Sequence, residues 1–150
     1  MAIAKKSKAR HVCGGDVITE GELGNGLYVT PAIFADCSDD MEFVREEVFG
    51  PLMSVLSFKT ADEALERANS THFGLAGAVF TKDFSRAHRV ANRIQGGIVW
   101  INDYNITPAE VPFGGYKQSG VRRENGLQAI EHYTQVKTIY ANLGDVHLTF

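Results

Sequence analysis

Two adjacent carboxylates and an aromatic residue precede a Gly-Pro turn in residues 44–51, Val-Arg-Glu-Glu-Val-Phe-Gly-Pro. If this segment is extended, neighbouring side chains point to opposite faces, so one of Glu46 and Glu47 meets solvent or a cation while the other faces a cleft. The turn leads into the apolar residues 52–58, which places Glu47 and Phe49 where ligand-contacting residues tend to lie. The pattern alone favours a solvated acidic turn before a strand.

A second distinctive block is residues 112–120, Pro-Phe-Gly-Gly-Tyr-Lys-Gln-Ser-Gly. Its glycines loosen a loop that presents Phe113 at its start and a polar run at its end. The block closes a long irregular stretch, residues 102–120, and a loop of that length in a compact domain is usually functional. A structural turn with a packed Phe113 and a ligand contact are both compatible with the pattern.

The residues between the two blocks alternate between strand and helix patterns. Apolar runs predict strands at residues 52–58, 76–80 and 98–101. Each intervening stretch begins with a helix-capping signal, a Thr60–Glu63 capping box in the first and Asp83 in the second. Strands that are joined by helices through short connections make right-handed crossovers, so the sequence predicts an α/β fold with a parallel sheet covered by helices.

The N-terminal part is predicted to contain less regular structure. Residues 2–10 have a helical pattern that starts without an N-cap, which suggests that sequence preceded Met1. Residues 11–13 are predicted to form a short strand, and residues 27–34 an extended segment whose Pro31 suggests an edge position.

The C-terminal part is predicted to contain a short helix at residues 127–133 and a strand at residues 134–143. No partner strand can be named for the latter, and exposed sheet edges are usually covered, for which another subunit is the natural candidate. The predicted division is therefore a main domain at residues 1–133 and an oligomerisation strand and tail at residues 134–150.

The overall composition is that of one globular domain. The 150 residues are 44% hydrophobic and carry a net charge of -3, which argues against a nucleic-acid partner. No apolar run is long enough to span a membrane, and the N-terminus lacks a signal-peptide core. Two cysteines without metal-site spacing indicate a reducing compartment, so Cys13 and Cys37 are expected to be small buried residues of a cytoplasmic protein.

Residues 45–51 resemble the E-E-[IV]-F-G-P motif of the NAD(P)-dependent aldehyde dehydrogenases. The resemblance implies that Glu47 hydrogen-bonds the nicotinamide ribose hydroxyls and that Phe49 packs beside the nicotinamide ring. The first role is chemically sound, because a carboxylate offers two acceptor oxygens to two hydroxyl donors.

Residues 112–124 resemble the P-[FW]-G-G-x-K-x-S-G-x-G-R-E block of the same family, with Arg122 where a glycine is usual. The resemblance implies that Phe113 and Tyr104 are walls of the aldehyde pocket. If φ at position 122 is positive, an arginine there costs roughly 1 kcal/mol or more of backbone strain relative to glycine. Either the turn differs here or the position tolerates a side chain.

Residues 100–110, followed by residues 120–126, look most like the betaine aldehyde dehydrogenase branch of the family. That likeness implies a quaternary ammonium substrate, for which aromatic faces offer cation–π attraction. It also implies a monovalent cation between subunits, bound through the backbone carbonyls of Lys117 and Gly120.

The family's nucleophilic cysteine segment, F-x-x-G-Q-x-C, its general-base glutamate, its oxyanion asparagine and its Rossmann domain have no counterpart in this sequence. No catalytic residue is therefore assigned. The resemblance implies the C-terminal part of a catalytic domain, with NAD(P) bound by the complete enzyme and neither cofactor binding nor turnover expected of this chain alone. The alternative is an assembly or binding module that associates with itself or with full-length subunits.

Overall fold

The fold was analysed in a computed structural model, which describes residues 1–145. The chain forms two compact units, Met1–Thr71 and His72–Phe150. The first contains a three-stranded mixed sheet and the second a two-stranded parallel sheet. The predicted α/β class is confirmed.

Strand β2 is the centre of the first unit. In chain order this unit contains α1 (Ala2–Lys6), β1 (Arg10–Cys13), β2 (Ala32–Ala35), α2 (Glu42–Arg45), β3 (Leu52–Ser54) and α3 (Ala61–Asn69). Strand β2 pairs antiparallel with β1 and parallel with β3. The edge position suggested by Pro31 is therefore wrong: Pro31 precedes the paired residues of a central strand, where its missing N–H costs the ladder no hydrogen bond.

The core of the first unit is built around Phe34, which is fully buried. Its ring lies 5.6 Å from that of Phe43 on α2, and Ala4 of α1 and Cys37 belong to the same buried cluster. Burial of both cysteines was expected, but Cys13 is exposed because it lies on β1, an edge strand whose residues all face solvent.

The predicted capping box of α3 is present. The Thr60 hydroxyl accepts a hydrogen bond from the Glu63 N–H at 3.2 Å, and the Glu63 carboxylate accepts one from the Lys59 N–H at 2.8 Å. Arg67, one turn further along, pairs with Glu63 and with Asp39. The Lys59 N–H and then the Arg67 guanidinium hold the pKa of Glu63 below its ordinary value.

The second unit contains the predicted crossover. Strands β4 (Ala76–Val79) and β5 (Ile98–Ile101) pair in parallel and are joined through helix α4 (Phe84–Ala91). The Asp83 carboxylate accepts a hydrogen bond from the Arg86 N–H at 2.9 Å, which confirms the predicted cap. Strand β3, expected in the same sheet as β4 and β5, pairs instead with β2 in the other unit.

Asn102 joins the carboxyl ends of β4 and β5. It adopts a positive φ of 55°, its side chain exchanges two hydrogen bonds with the backbone of Thr81, and its N–H donates to the carbonyl of Val79. Asparagine tolerates this backbone conformation better than most residues, so it both ends β5 and ties its end to that of β4.

Between β5 and residue 145 the helical elements are short 3-10 turns at Lys117–Ser119 and Leu127–His132, the second in place of the predicted helix. Residues 134–143, predicted as a strand, are not paired with any strand of the described chain and are exposed. A strand needs a hydrogen-bonding neighbour, and residues 1–145 offer none at this place. Residues 146–150 of the predicted tail lie outside the described residues. Within residues 1–145 no helix is long and apolar enough to cross a membrane.

Candidate cofactor and substrate sites

The acidic segment begins inside a helix. Helix α2 extends to Arg45, and the Glu46 N–H still donates to the Glu42 carbonyl at 2.8 Å. The expected extended segment therefore starts at Glu46 and not at Val44. Glu47 follows in irregular backbone, exposed to solvent.

A tight turn presents Phe49. The Gly50 N–H donates to the Val48 carbonyl and the Leu52 N–H to the Gly50 carbonyl, each at 2.8 Å. Two successive bonds of this i to i+2 type fold the backbone sharply. The turn is attached to the central strand, because the Ala32 N–H donates to the Pro51 carbonyl at 2.8 Å. The Phe49 ring is 93% exposed, so it touches little of the unit that holds it.

The second block is closed at its base by a pair of backbone hydrogen bonds. Phe113 and Glu124 form an isolated antiparallel bridge in which each N–H donates to the other's carbonyl at 2.7 Å. Phe113 is half-buried. The residues between them form one loop, called here the 113–124 loop.

Arg123 holds the interior of the 113–124 loop. Its guanidinium donates to the carbonyls of Gly115 at 3.0 Å and Arg122 at 2.9 Å, and it lies over the Tyr116 ring at 5.4 Å from the centroid. These are charge-assisted hydrogen bonds plus a cation–π contact from one half-buried side chain. This role of Arg123 could not be predicted from the sequence, because no local pattern identifies an arginine that donates hydrogen bonds to backbone carbonyls of its own loop.

The 113–124 loop abuts the amino ends of β4 and β5. Gly74, just before β4, accepts a hydrogen bond from the Tyr116 N–H at 2.8 Å and donates to the Ser119 hydroxyl at 2.9 Å. Gly97, just before β5, lies so close that a Cβ there would be 1.6 Å from the Gly114 carbonyl oxygen. Glycine is required at position 97 by this close approach.

The backbone of the loop resolves the question raised by Arg122. Within the 113–124 loop positive φ values occur at Lys117 (51°) and Gly120 (152°), and Arg122 is not among the positive-φ residues. This position therefore accepts a side chain without backbone strain.

A cavity of about 460 Å³ lies beside the loop. Its lining includes Phe113, Arg122, Arg123, Glu124, His132 and Tyr133. Tyr104, the other predicted pocket wall, is not part of this lining. It follows the carboxyl end of β5, is 72% exposed and packs its ring 5.9 Å from that of Trp100. The two predicted walls thus lie in different places of this unit, and their roles stay predictions.

The predicted cation positions belong to the same loop. Lys117 begins the 3-10 turn Lys117–Ser119 and Gly120 ends it. Residues 1–145 contain no cluster of three His, Cys, Asp or Glu side chains that could hold a metal ion. The predicted site therefore depends on backbone carbonyls alone, and it stays a prediction.

Comparison with known sequences gives the class of the protein. The sequence model described as Aldehyde dehydrogenase family matches residues 1–139. The chain belongs to the aldehyde dehydrogenase family.

Solved structures of this family are similar to the chain in both sequence and fold. The apo betaine aldehyde dehydrogenase of Staphylococcus aureus, as a G234S mutant, is 45% identical with a TM-score of 0.85, covering 88% of this chain and 26% of that chain. The aldehyde dehydrogenase of Bacillus cereus, as an E194S mutant, is 45% identical with a TM-score of 0.89, and the match covers 95% of this chain and 28% of that chain. The indole-3-acetaldehyde dehydrogenase of P. syringae, a C302A mutant in complex with NAD+ and IAA, is 44% identical with a TM-score of 0.88, also covering 95% and 28%. The chain spans about a quarter of the length of these proteins.

Proposed function

We propose that this chain is the C-terminal part of the catalytic domain of an NAD(P)-dependent aldehyde dehydrogenase of the betaine aldehyde dehydrogenase type. The complete enzyme would oxidise an aldehyde to a carboxylic acid. The observation that carries this proposal is the exposed pair Glu47 and Phe49 on a turn attached to β2. The family assignment supplies the reaction class.

The two exposed side chains suit a nicotinamide riboside. The Glu47 carboxylate makes no hydrogen bond or ion pair with residues 1–145, so both oxygens are free to accept from the ribose hydroxyls. The uncovered face of Phe49 offers a flat apolar surface to the nicotinamide ring. The similar structure of the P. syringae indole-3-acetaldehyde dehydrogenase holds NAD+, which supports the assignment of this cofactor class.

The remaining predicted contacts belong to the second unit. Phe113 and Tyr104 are proposed to contact the aldehyde, and the carbonyls of Lys117 and Gly120 to bind a monovalent cation. Support for Phe113 comes from its place in the lining of the 460 Å³ cavity.

The chain alone is proposed to be inactive. Hydride transfer to NAD(P) requires a thiohemiacetal formed on a cysteine, with a base and an oxyanion donor beside it. Cys37 is buried, and His11, the nearest candidate base for Cys13, donates from Nε2 to the Gly14 carbonyl at 2.8 Å and stacks on Phe34. Neither cysteine therefore has the partners of a nucleophile.

A second function is favoured by residues 134–143. Four large apolar side chains in this segment, Val136, Ile139, Tyr140 and Leu143, are almost fully exposed. Such a segment favours association, either with another copy of the chain or with full-length subunits. Light scattering on the purified chain tests this second function. A chain that is monomeric and also fails to bind the intact enzyme would contradict a role as an assembly module.

The catalytic proposal is tested by complementation. The chain is co-expressed with the part of the S. aureus betaine aldehyde dehydrogenase that precedes its matched region, and NADH formation from betaine aldehyde is measured. Activity is expected only when both pieces are present. Turnover by the chain alone would contradict its proposed inactivity, and no activity from the assembled pieces would contradict its catalytic origin.

Phe49→Ala is the informative variant in this assay, and Phe58→Ala is its matched control. Both rings are exposed in the first unit, at 93% and 61%, but only Phe49 belongs to the proposed cofactor contact. Phe49→Ala is expected to raise the KM for NAD+, whereas Phe58→Ala should leave it unchanged.

A further inference from the structure

We propose that the cavity beside Phe113 binds the end of an aldehyde that carries a carboxylate, attracted by the Arg122 guanidinium. This inference rests on the proposed function, because it names the substrate class for the pocket that Phe113 would line. It changes the expectation for this chain from a cationic aldehyde to an anionic one.

Arg122 carries a free positive charge in the cavity lining. Its side chain is exposed and makes no hydrogen bond or ion pair with any residue of the described chain. A guanidinium stays protonated at all physiological pH values and presents a planar set of N–H donors that matches a carboxylate. The position accepts the side chain without backbone strain.

Arg123 adds a second charge to the same lining. Its guanidinium donates to the carbonyls of Gly115 and Arg122, which are neutral acceptors. No carboxylate among residues 1–145 lies within ion-pair distance of it. Its Nη1 donates to neutral acceptors and its charge is not neutralised by an ion pair, so the charge acts on a ligand in the adjacent cavity.

The cavity lining contains fewer carboxylate residues than arginines. Glu124 is the one carboxylate residue in its lining, and Glu131 lies with Arg122 along an adjoining surface depression. Neither is paired with Arg122. His132 accepts a hydrogen bond from the Arg123 N–H through Nε2 at 3.3 Å. The lining therefore contains two arginines and one carboxylate residue.

A quaternary ammonium group would find a poor environment here. Attraction of such a cation needs aromatic faces or carboxylates, and the guanidinium groups repel it. Phe113 and Tyr133 are the aromatic residues of the lining, and Tyr104 lies elsewhere in the unit. A carboxylate, by contrast, is attracted by the unpaired guanidinium of Arg122.

The test compares three aldehydes that differ in charge. The 150-residue chain, labelled with 15N, is titrated at low salt with 4-oxobutanoate, butanal and betaine aldehyde, and the backbone amide signals of Phe113, Val121 and Arg122 are followed by NMR. Because Arg122 is exposed, the expected preference is modest: 4-oxobutanoate should bind roughly two- to fivefold more tightly than betaine aldehyde, with butanal between them. The preference should shrink as salt is added.

Charge variants identify the responsible group. Arg122→Gln should reduce the preference, Arg122→Lys should keep it, and Glu124→Gln should increase it. The proposal is overturned if betaine aldehyde binds as tightly as 4-oxobutanoate, if Arg122→Gln leaves the ratio unchanged, or if no aldehyde shifts these signals. Failure of the proposed function is recognised separately, because complementation would then fail with all three aldehydes.

Discussion

Phe113 and Glu124 face each other across the base of one loop, with each backbone N–H bonded to the other's carbonyl at 2.7 Å. This pair sets the position of an aromatic side chain and a carboxylate in the lining of one cavity. Arg123, next to Glu124, fills the loop that the pair closes. The geometry around Phe113 therefore depends on residues that are distant from it in sequence.

Removing the Arg123 side chain should destabilise the second unit. Arg123→Ala loses two charge-assisted hydrogen bonds to carbonyls and the contact with Tyr116, which predicts a loss of about 2 kcal/mol in the free energy of unfolding. Urea unfolding measures it, and hydrogen exchange at the Phe113 and Glu124 amides should become faster. The neighbouring variant Arg122→Ala should change stability by less than about 0.5 kcal/mol, and equal effects for the two would contradict the role given to Arg123.

Two adjacent glycines should respond very differently to alanine. A Cβ at Gly97 would lie 1.6 Å from the Gly114 carbonyl oxygen, whereas one at Gly96 would lie at 3.5 Å from its nearest neighbour. Gly97→Ala must displace the 113–124 loop and should cost about 3 kcal/mol or more, and Gly96→Ala should be close to neutral. Thermal unfolding of the two variants and of the parent chain measures both effects. Equal melting temperatures for Gly97→Ala and Gly96→Ala would contradict the close packing at Gly97.

Acid should remove part of the stability that Glu63 contributes. The pKa of Glu63 is lowered in the folded chain, first by the Lys59 N–H and also by Arg67. Its contribution is therefore fully present above the pKa of the unfolded chain and is lost as the pH falls through the lower folded value. The melting temperature of the parent chain should thus fall more steeply below about pH 4.5 than that of Glu63→Gln. Glu66→Gln, on the exposed side of the same helix, is the control and should follow the parent.

The two neighbouring carboxylates should differ in their effect on cofactor use. In the complemented enzyme, Glu47→Ala should lower kcat/KM for NAD+ by about tenfold or more, because a carboxylate that accepts hydroxyl hydrogen bonds contributes roughly 1.5–3 kcal/mol. Glu46→Ala should have a much smaller effect, since Glu46 only ends α2. A larger effect from Glu46 would mean that the roles of the pair are reversed.

Local signals in the sequence were sufficient for most of the elements. Thr60 and Asp83 were recognised as caps because capping depends on side chains a few residues apart, and both caps are present. The α/β class and the parallel crossover through α4 followed from alternation of periodicities. The family followed from two motifs, and it is confirmed.

Features that depend on distant parts of the chain were not accessible in the same way. Strand β3 was expected beside β4, but a pairing partner is chosen by packing between remote segments, and β3 pairs with β2. Pro31 was interpreted as an edge signal because nothing local shows that the paired residues begin at Ala32. The interior role of Arg123 and the close approach of Gly97 to Gly114 arise only when the loop folds back on β4 and β5.

The hydrogen bond between the Gly74 N–H and the Ser119 hydroxyl joins residues 45 positions apart in the chain. Closing so long a segment has an entropic cost that local contacts cannot offset early in folding, so we expect the βαβ core of the second unit to form before the 113–124 loop docks. The loop that contains Phe113 would then be last to fold and first to open. Ligand binding in the cavity beside Phe113 would therefore be coupled to the closing of this late-folding loop.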